Sequence, residues 1–172
     1  GGFYTKSDMS GDIHKFTKLL ADACEKKGVK LYYETEITRV NHNKEQPIIT
    51  FKKSNQLQKQ NYDGIVVCAG VNSQFIANGL GDSINIYPVK GYSITLLLND
   101  KESVNNAPYV SLLDDKAKIV SSRLGKDRFR VAGTAEFNGY NKDIRADRIN
   151  PLIKWCNELF PKVSTEHAIP WA

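Results

Sequence analysis

The sequence has no Gly-x-Gly-x-x-Gly loop and no Gly-Lys-Ser/Thr phosphate cradle. Gly79-Leu80-Gly81-Asp82 follows a helical stretch instead of opening one, so these residues lack the helix N-terminus that would hold a dinucleotide pyrophosphate. His14, His42 and His167 have no ligand spacing, and no metal site is indicated. No nucleophile elbow surrounds a serine, which leaves Ser/His/Asp catalysis unsupported. The three cysteines, Cys24, Cys68 and Cys156, are scattered among apolar residues. They read as buried small hydrophobes in a reducing compartment, not as a disulfide frame. No apolar run approaches the roughly 20 residues of a membrane span, and no signal-peptide pattern is present.

Charge of one sign is also absent. The formal balance is +5, but 24 basic residues are interleaved with 19 acidic ones along all 172 positions. No basic helix face or aromatic-interleaved basic stripe emerges, so the charge reads as a solvated surface and nucleic acid is not expected as a partner. The length allows one domain or two small ones with a real core. The ends, Gly1-Gly2-Phe3 and Pro170-Trp171-Ala172, read as cuts through a longer protein.

What is present is a change of rhythm. Asp12 is set to cap a helix whose apolar face is Ile13, Phe16, Leu19, Leu20, Ala23 and Cys24, with Gly28 as the stop. Val29, Leu31 and Tyr33 alternate as a strand, and Thr35–Val40 continues extended. Ile48–Phe51, a Ser54-Asn55 turn and Gln56–Gln60 suggest a hairpin. Ile65-Val66-Val67-Cys68-Ala69-Gly70 reads as a strand buried on both faces, and Ser73 opens a short helix through Leu80, closed by Gly79 and Gly81. Beyond it come strands in succession, at Tyr92–Leu98, Tyr109–Leu113, Ala117–Ser122 and Arg128–Ala135. A helix follows, capped by Asn150, begun at Pro151 and ended at Pro161, with Leu152, Ile153, Cys156, Leu159 and Phe160 as its stripe. The order fits an α+β protein in which an antiparallel sheet carries a helix on one face.

Between the halves stands Tyr87-Pro88-Val89-Lys90-Gly91-Tyr92-Ser93-Ile94-Thr95. Pro88 fixes its own φ and extends Tyr87, while Gly91 permits a close backbone approach or a φ that side chains disfavour. The stretch reads either as a crossover between two structural units or as an edge strand entered through a proline turn. Arg128 and Arg130 share a strand face with Thr134 and Glu136 by simple alternation, which suits an anionic ligand or a solvated, ion-paired surface.

Taken in order, several segments resemble the bacterial FAD-dependent D-amino-acid dehydrogenases of the D-amino-acid oxidase and glycine oxidase superfamily. They are Gly1-Gly2-Phe3-Tyr4, Val66-Val67-Cys68-Ala69-Gly70, Pro88-Val89-Lys90-Gly91-Tyr92-Ser93, and Arg130-Val131-Ala132-Gly133-Thr134-Ala135-Glu136. The resemblance covers nearly all of this chain and the middle of the family's chain. It implies a partial FAD-binding α/β domain over 11–82 and an antiparallel substrate domain with a packed helix over 83–168, with 1–10 as an edge element.

The resemblance implies that Val40 lies beside the adenosine end of FAD, that Ala69 and Gly70 end the strand approaching the cofactor, and that Gly91 carries the chain past the flavin. Lys90, Tyr92, Tyr109 and Arg123 are expected to line the substrate side. The implied chemistry is oxidation of a D-amino acid to an imino acid by hydride transfer to FAD, then hydrolysis to a 2-oxo acid and ammonia. Electrons would pass to a respiratory quinone, which implies a cytoplasmic protein associated peripherally with the inner face of the plasma membrane. The family's Gly-rich loop and its Gly-Leu-Arg-Pro stretch have no counterpart here, so the 172-residue chain alone is expected neither to hold FAD tightly nor to turn over. A glycine- or sarcosine-type oxidase and a non-catalytic binding module are the alternatives.

Overall fold

The computed structural model describes residues 2–42 and 46–172. Two compact units are formed, one by the residues up to Leu20 with Val89–Ala172 and one by Ala21–Pro88. The chain enters the second inside helix α1 (Ile13–Lys26) and leaves it between Pro88 and Val89.

Asp12 caps α1 as its short polar side chain allows: Oδ1 accepts from the Lys15 amide at 3.2 Å, and the Phe16 amide reaches the Asp12 carbonyl at 3.0 Å. Gly28 ends the segment with φ +91°. The apolar stripe of α1 is present, but Ile13, Phe16, Leu19 and Leu20 are all exposed.

In the Ala21–Pro88 unit, β1 (Thr35–His42), β2 (Pro47–Lys53) and β3 (Gln56–Asn61) form an antiparallel sheet in that order. The expected hairpin forms, and Ser54 and Asn55 take φ of +48° and +64°, the mirror-image turn that matches strand twist. Helix α2 (Ser73–Leu80) starts at Ser73 and is closed by Gly81 at φ +89°, with Gly79 inside it.

Two expected strands are corrected. Val29–Tyr33 is irregular and leads into a turn at Tyr33 and Glu34. Ile65–Ala69 joins no sheet, and Val66, Val67 and Cys68 are exposed. A strand buried on both faces needs neighbours, and the described residues supply none for this one. The cysteines are corrected with it: all three are free, but only Cys156 is buried.

The other unit is built on a five-stranded antiparallel sheet, ordered β5 (Leu112–Asp114), β6 (Ile119–Leu124), β7 (Arg128–Glu136), β4 (Lys90–Leu97), β8 (Ile169–Trp171). Alternation sends Tyr92, Ile94 and Leu96 of β4 and Phe129 and Val131 of β7 to one face, all at most 1% exposed. Helix α4 (Ala146–Leu159) covers that face with Ile149, Leu152, Trp155 and Cys156. Phe160 stands edge-on to Phe129 and Trp155, with ring centroids 5.5 and 5.7 Å away.

Here too the expectations need amendment. Helix α4 begins at Ala146, four residues before Asn150, and encloses Pro151. Pro151 cannot donate to the carbonyl four residues back, so the helix gives up one bond and retains its packing face. Leu159 is exposed, and Trp155 takes the buried place, its Nε1 donating to Asp114 Oδ2 at 2.8 Å. The Tyr109–Leu113 strand shrinks to Leu112–Asp114. A short helix α3 (Lys101–Asn106) was not anticipated, although Asp100 announces it by accepting from the Ser103 amide at 2.7 Å.

Strand β7 contains a bulge. Pairing with β4 slips between Gly91 and Tyr92, and Thr134, the extra residue in β7, takes φ +55°. Just before it, Gly133 lies under β6: a Cβ there would meet Ile119 Cγ1 at 2.7 Å and the Lys118 carbonyl at 3.0 Å. Backbone contacts cannot swing aside as a side chain does. Gly133→Ala is therefore expected to destabilise this unit by about 1–3 kcal/mol in urea unfolding, and an unchanged midpoint would refute the close approach.

Candidate functional site

The bulge decides which side chains meet. Before it, Phe129, Val131 and Gly133 share the α4 face, and after it Glu136 falls on that same face, opposite Lys90. Glu136 is only 5% exposed and collects four donors. The Tyr92 hydroxyl donates to Oε2, and Lys90 Nζ is 3.2 Å from the same oxygen. Arg145 Nη1 donates to Oε1 at 2.8 Å and Asn138 Nδ2 at 3.1 Å. Arg145 also grips Asp147 with two nearly parallel bonds of 3.0 and 2.9 Å. The Thr134 hydroxyl donates to the Arg148 carbonyl at 3.1 Å and fastens the bulge to α4.

The Tyr92 hydrogen bond is the largest influence on Glu136. Together with Lys90 and Arg145 it outweighs burial and holds the carboxyl at about 2, against an ordinary 4.5. Burial disfavours the Lys90 charge, but bonds to Tyr92 and Glu136 leave its pKa raised. Lys90 Nζ also donates to the carbonyls of Asn141 and Asp143 at 3.1 and 2.8 Å, pinning the loop after β7. Simple alternation had placed Glu136 beside Arg130; the bulge puts it on the opposite face. The glycine within the strand pattern, Gly133, was the signal available for this.

The other sheet face carries a groove of about 490 Å³ with Gly91, Val120, Arg130, Ala132 and Trp171 in its lining. Gly91 satisfies neither expectation made for it. Its φ is ordinary and nothing lies within 4 Å of where its Cβ would stand, so it leaves open space at the groove. Arg130 Nη2 donates to Ser93 Oγ at 3.3 Å, with the guanidinium carbon 5.9 Å from the Trp171 ring centroid.

Tyr109 and Arg123 are not among the groove's lining residues. Arg123 Nη1 donates to the carbonyls of Val104 and Ala107 at 2.9 and 3.0 Å, and its Nη2 to that of Lys126 at 3.1 Å. It stacks 4.3 Å from the centroid of the exposed Tyr109 ring. This group fastens the end of α3 and sits by the start of β7, opposite Phe129 in register. In the Ala21–Pro88 unit, Val40 is buried in β1 opposite Ile49. The Ala69 amide donates to Ser73 Oγ at 3.2 Å, and Gly70 turns the chain at φ +55° with open space beside it. Among the described residues no His, Cys, Asp and Glu side chains gather as a metal site.

Glu136 predicts a pH dependence. Its folded pKa lies below its unfolded one, so the unfolded chain binds more protons between about pH 4.5 and 2, and stability is lost as the pH falls through that window. Glu136→Gln is expected to be less stable than wild type at pH 7, with the gap closing as acid is added. Thermal melts from pH 7 to pH 3 check this, and a gap of constant size would contradict it.

Comparison with known proteins places this architecture. The sequence pattern of the DAO family, FAD dependent oxidoreductases, matches residues 1–172. D-amino acid dehydrogenase 3 of Mesorhizobium japonicum is 55% identical over 172 residues, which are 100% of this chain and 42% of that protein. D-amino acid dehydrogenase of Dechloromonas aromatica is 39% identical over 95% of this chain and 38% of its own length. The chain thus spans about two fifths of the curated relatives it matches. Among solved structures, glycine oxidase from Geobacillus kaustophilus superposes with a TM-score of 0.73 at 16% identity, over 90% of this chain and 39% of that one. At that identity the likeness concerns the fold, and it agrees with the expected α+β architecture of antiparallel sheets. With every residue inside the family pattern, the chain belongs to the DAO family of FAD dependent oxidoreductases.

Proposed function

We propose that the whole protein is an FAD-dependent dehydrogenase that oxidises D-amino acids to 2-oxo acids and ammonia. The observation that carries this reading is the 55% identity, across the full length of the chain, with a protein named D-amino acid dehydrogenase 3. The reaction removes two electrons and two protons from the amino acid, and water then hydrolyses the imino acid. FAD, when bound, supplies the two-electron acceptor. A quinone as the next acceptor, and a cytoplasmic protein held peripherally at the membrane to reach it, complete the proposal. No helix among the described residues is long and apolar enough to cross a membrane.

The residues present are compatible with a flat cofactor. Gly70 and Gly91 each leave empty the space a Cβ would occupy, with nothing within 4 Å. Val40, Ala69, Gly70 and Gly91 are the positions proposed to lie along the cofactor. On the substrate side, Lys90 and Tyr92 act by position: bonded to Glu136, they hold the backbone on either side of Gly91 still. Tyr109 and Arg123 remain proposed as a more distant part of the substrate side, where Arg123 keeps the Tyr109 ring in place.

The deciding assay is 2-oxo acid formation by the full-length protein, with D-alanine or glycine as substrate and a soluble quinone or oxygen as acceptor. D-alanine with quinone is expected to be fastest, and the 172-residue polypeptide alone is expected to give no product. Preference for glycine and oxygen would overturn the dehydrogenase reading. Gly91→Val is expected to leave unfolding within about 0.5 kcal/mol of wild type, because its side chain enters open space. The same change is expected to lower kcat/KM at least about tenfold; full activity would remove Gly91 from the site.

A further inference from the structure

We propose that Thr134 is a positioning residue: its hydroxyl holds the β7 bulge still where β4 begins to line the groove, and the effect on catalysis rests on the D-amino-acid reading above. Among the described residues, Glu34, Ser54, Asn55, Lys118 and Thr134 have positive φ without being glycine. Thr134 alone of these is branched at Cβ, which makes the left-handed region costlier for it than for the others. Two of them, Lys118 at φ +56° and Thr134 at φ +55°, line the groove. Backbone strain persists only where surrounding contacts enforce it, and it gathers at working surfaces.

Glycine would avoid that cost, and it is the usual occupant of a left-handed bulge position. Gly133 stands one place earlier, where the Lys118 carbonyl and Ile119 leave no room for a Cβ. Thr134 offers what a glycine lacks, a hydroxyl, which donates to the Arg148 carbonyl at 3.1 Å. Arg148 belongs to α4, and its neighbours Ile149 and Leu152 are buried in the core. The bulge is thereby tied to an element that packing already holds in place.

The tie acts across the strand pair. Tyr92 pairs with Gly133 and Gly91 with Ala135, so Thr134 stands between two pairs with no partner of its own in β4. Ala135 is exposed and opposite Gly91, beside which space is open. Two such small residues cannot fix their own positions by packing. Holding the bulge holds both, and with them the wall against which a small substrate rests. Glu136 restrains β4 from the core face, and Thr134 restrains the strand that β4 is paired with.

The test uses the full-length, FAD-loaded protein and two variants, T134V and T134S. Valine keeps the size and the branched Cβ, so it removes the hydroxyl and little else; serine keeps the hydroxyl. In T134V, amide hydrogen exchange over Lys90–Ser93 is expected to quicken about tenfold, because the facing strand is no longer fastened. With D-alanine, kcat is expected to fall about tenfold while KM stays within about threefold, the mark of lost positioning and not of lost binding. T134S is expected to restore both readouts to near wild type. Circular dichroism verifies the fold, and T134A replaces T134V if the valine variant does not fold.

Unchanged exchange in a folded T134V, or a serine variant as loose as the valine one, would overturn the fastening. Faster exchange with kcat unmoved would overturn the role in catalysis and keep the D-amino-acid reading. Faster exchange that serine reverses, in a protein that leaves D-alanine unoxidised, would overturn that reading and keep the fastening.

Discussion

A buried carboxylate organises the sheet unit. Glu136 lies under the end of a five-stranded sheet where water cannot solvate it, so its charge survives only because donors converge on it from several chain segments. Tyr92 and Lys90 come from the neighbouring strand, Asn138 from the following loop and Arg145 from the residue before α4. Each donor carries its own piece of backbone. Satisfying one acid therefore fixes the start of β4, the loop after β7 and the entrance to α4 together. Lys90 and Arg145, with Glu136 and Asp147, make a group whose charges cancel.

That arrangement also explains how one sheet serves two surfaces. On the α4 side the strands present Tyr92, Ile94, Leu96, Phe129 and Val131 to an apolar core. On the other side the same strands present Gly91, Ser93, Arg130 and Ala132 toward the groove or its edge. The groove side is sparsely furnished, with a glycine and an alanine where larger residues would fill it. Rigidity comes from the core side, where Gly91 is flanked by two residues committed to Glu136. The small side chains leave room, and the buried network keeps that room in one place.

Much of this was legible in the sequence wherever a local signal decided the outcome. Asp12 as a cap, Ser54-Asn55 as a tight turn, Gly81 as a helix stop and the strand alternation from Tyr92 all acted over a few residues, and all formed. Failures came where the deciding partner was distant or where one residue changed the parity. The apolar run at Ile65–Ala69 reads as a buried strand by composition, yet a strand exists only with neighbours, and none of the described residues fills that place. Nothing local in 136–147 says that Lys90, some fifty residues earlier, lies beside it. Nor does anything local say that Arg123, expected on the substrate side, donates from Nη1 and Nη2 to main-chain carbonyls.

The bulge at Thr134 has a consequence for how this segment can change over time. Because strand side chains alternate, the extra residue works as a parity switch: everything after it faces opposite to where plain counting would put it. Loss of one residue at the switch would turn Glu136 out toward the groove and bring its neighbour inward, and no point substitution could restore the arrangement. Substitutions in β7 can therefore accumulate one by one, but a length change there calls for a compensating one in the same strand. A length change in the loop beyond Asn138 would reverse no face, but it would move the Asn141 and Asp143 carbonyls that Lys90 holds.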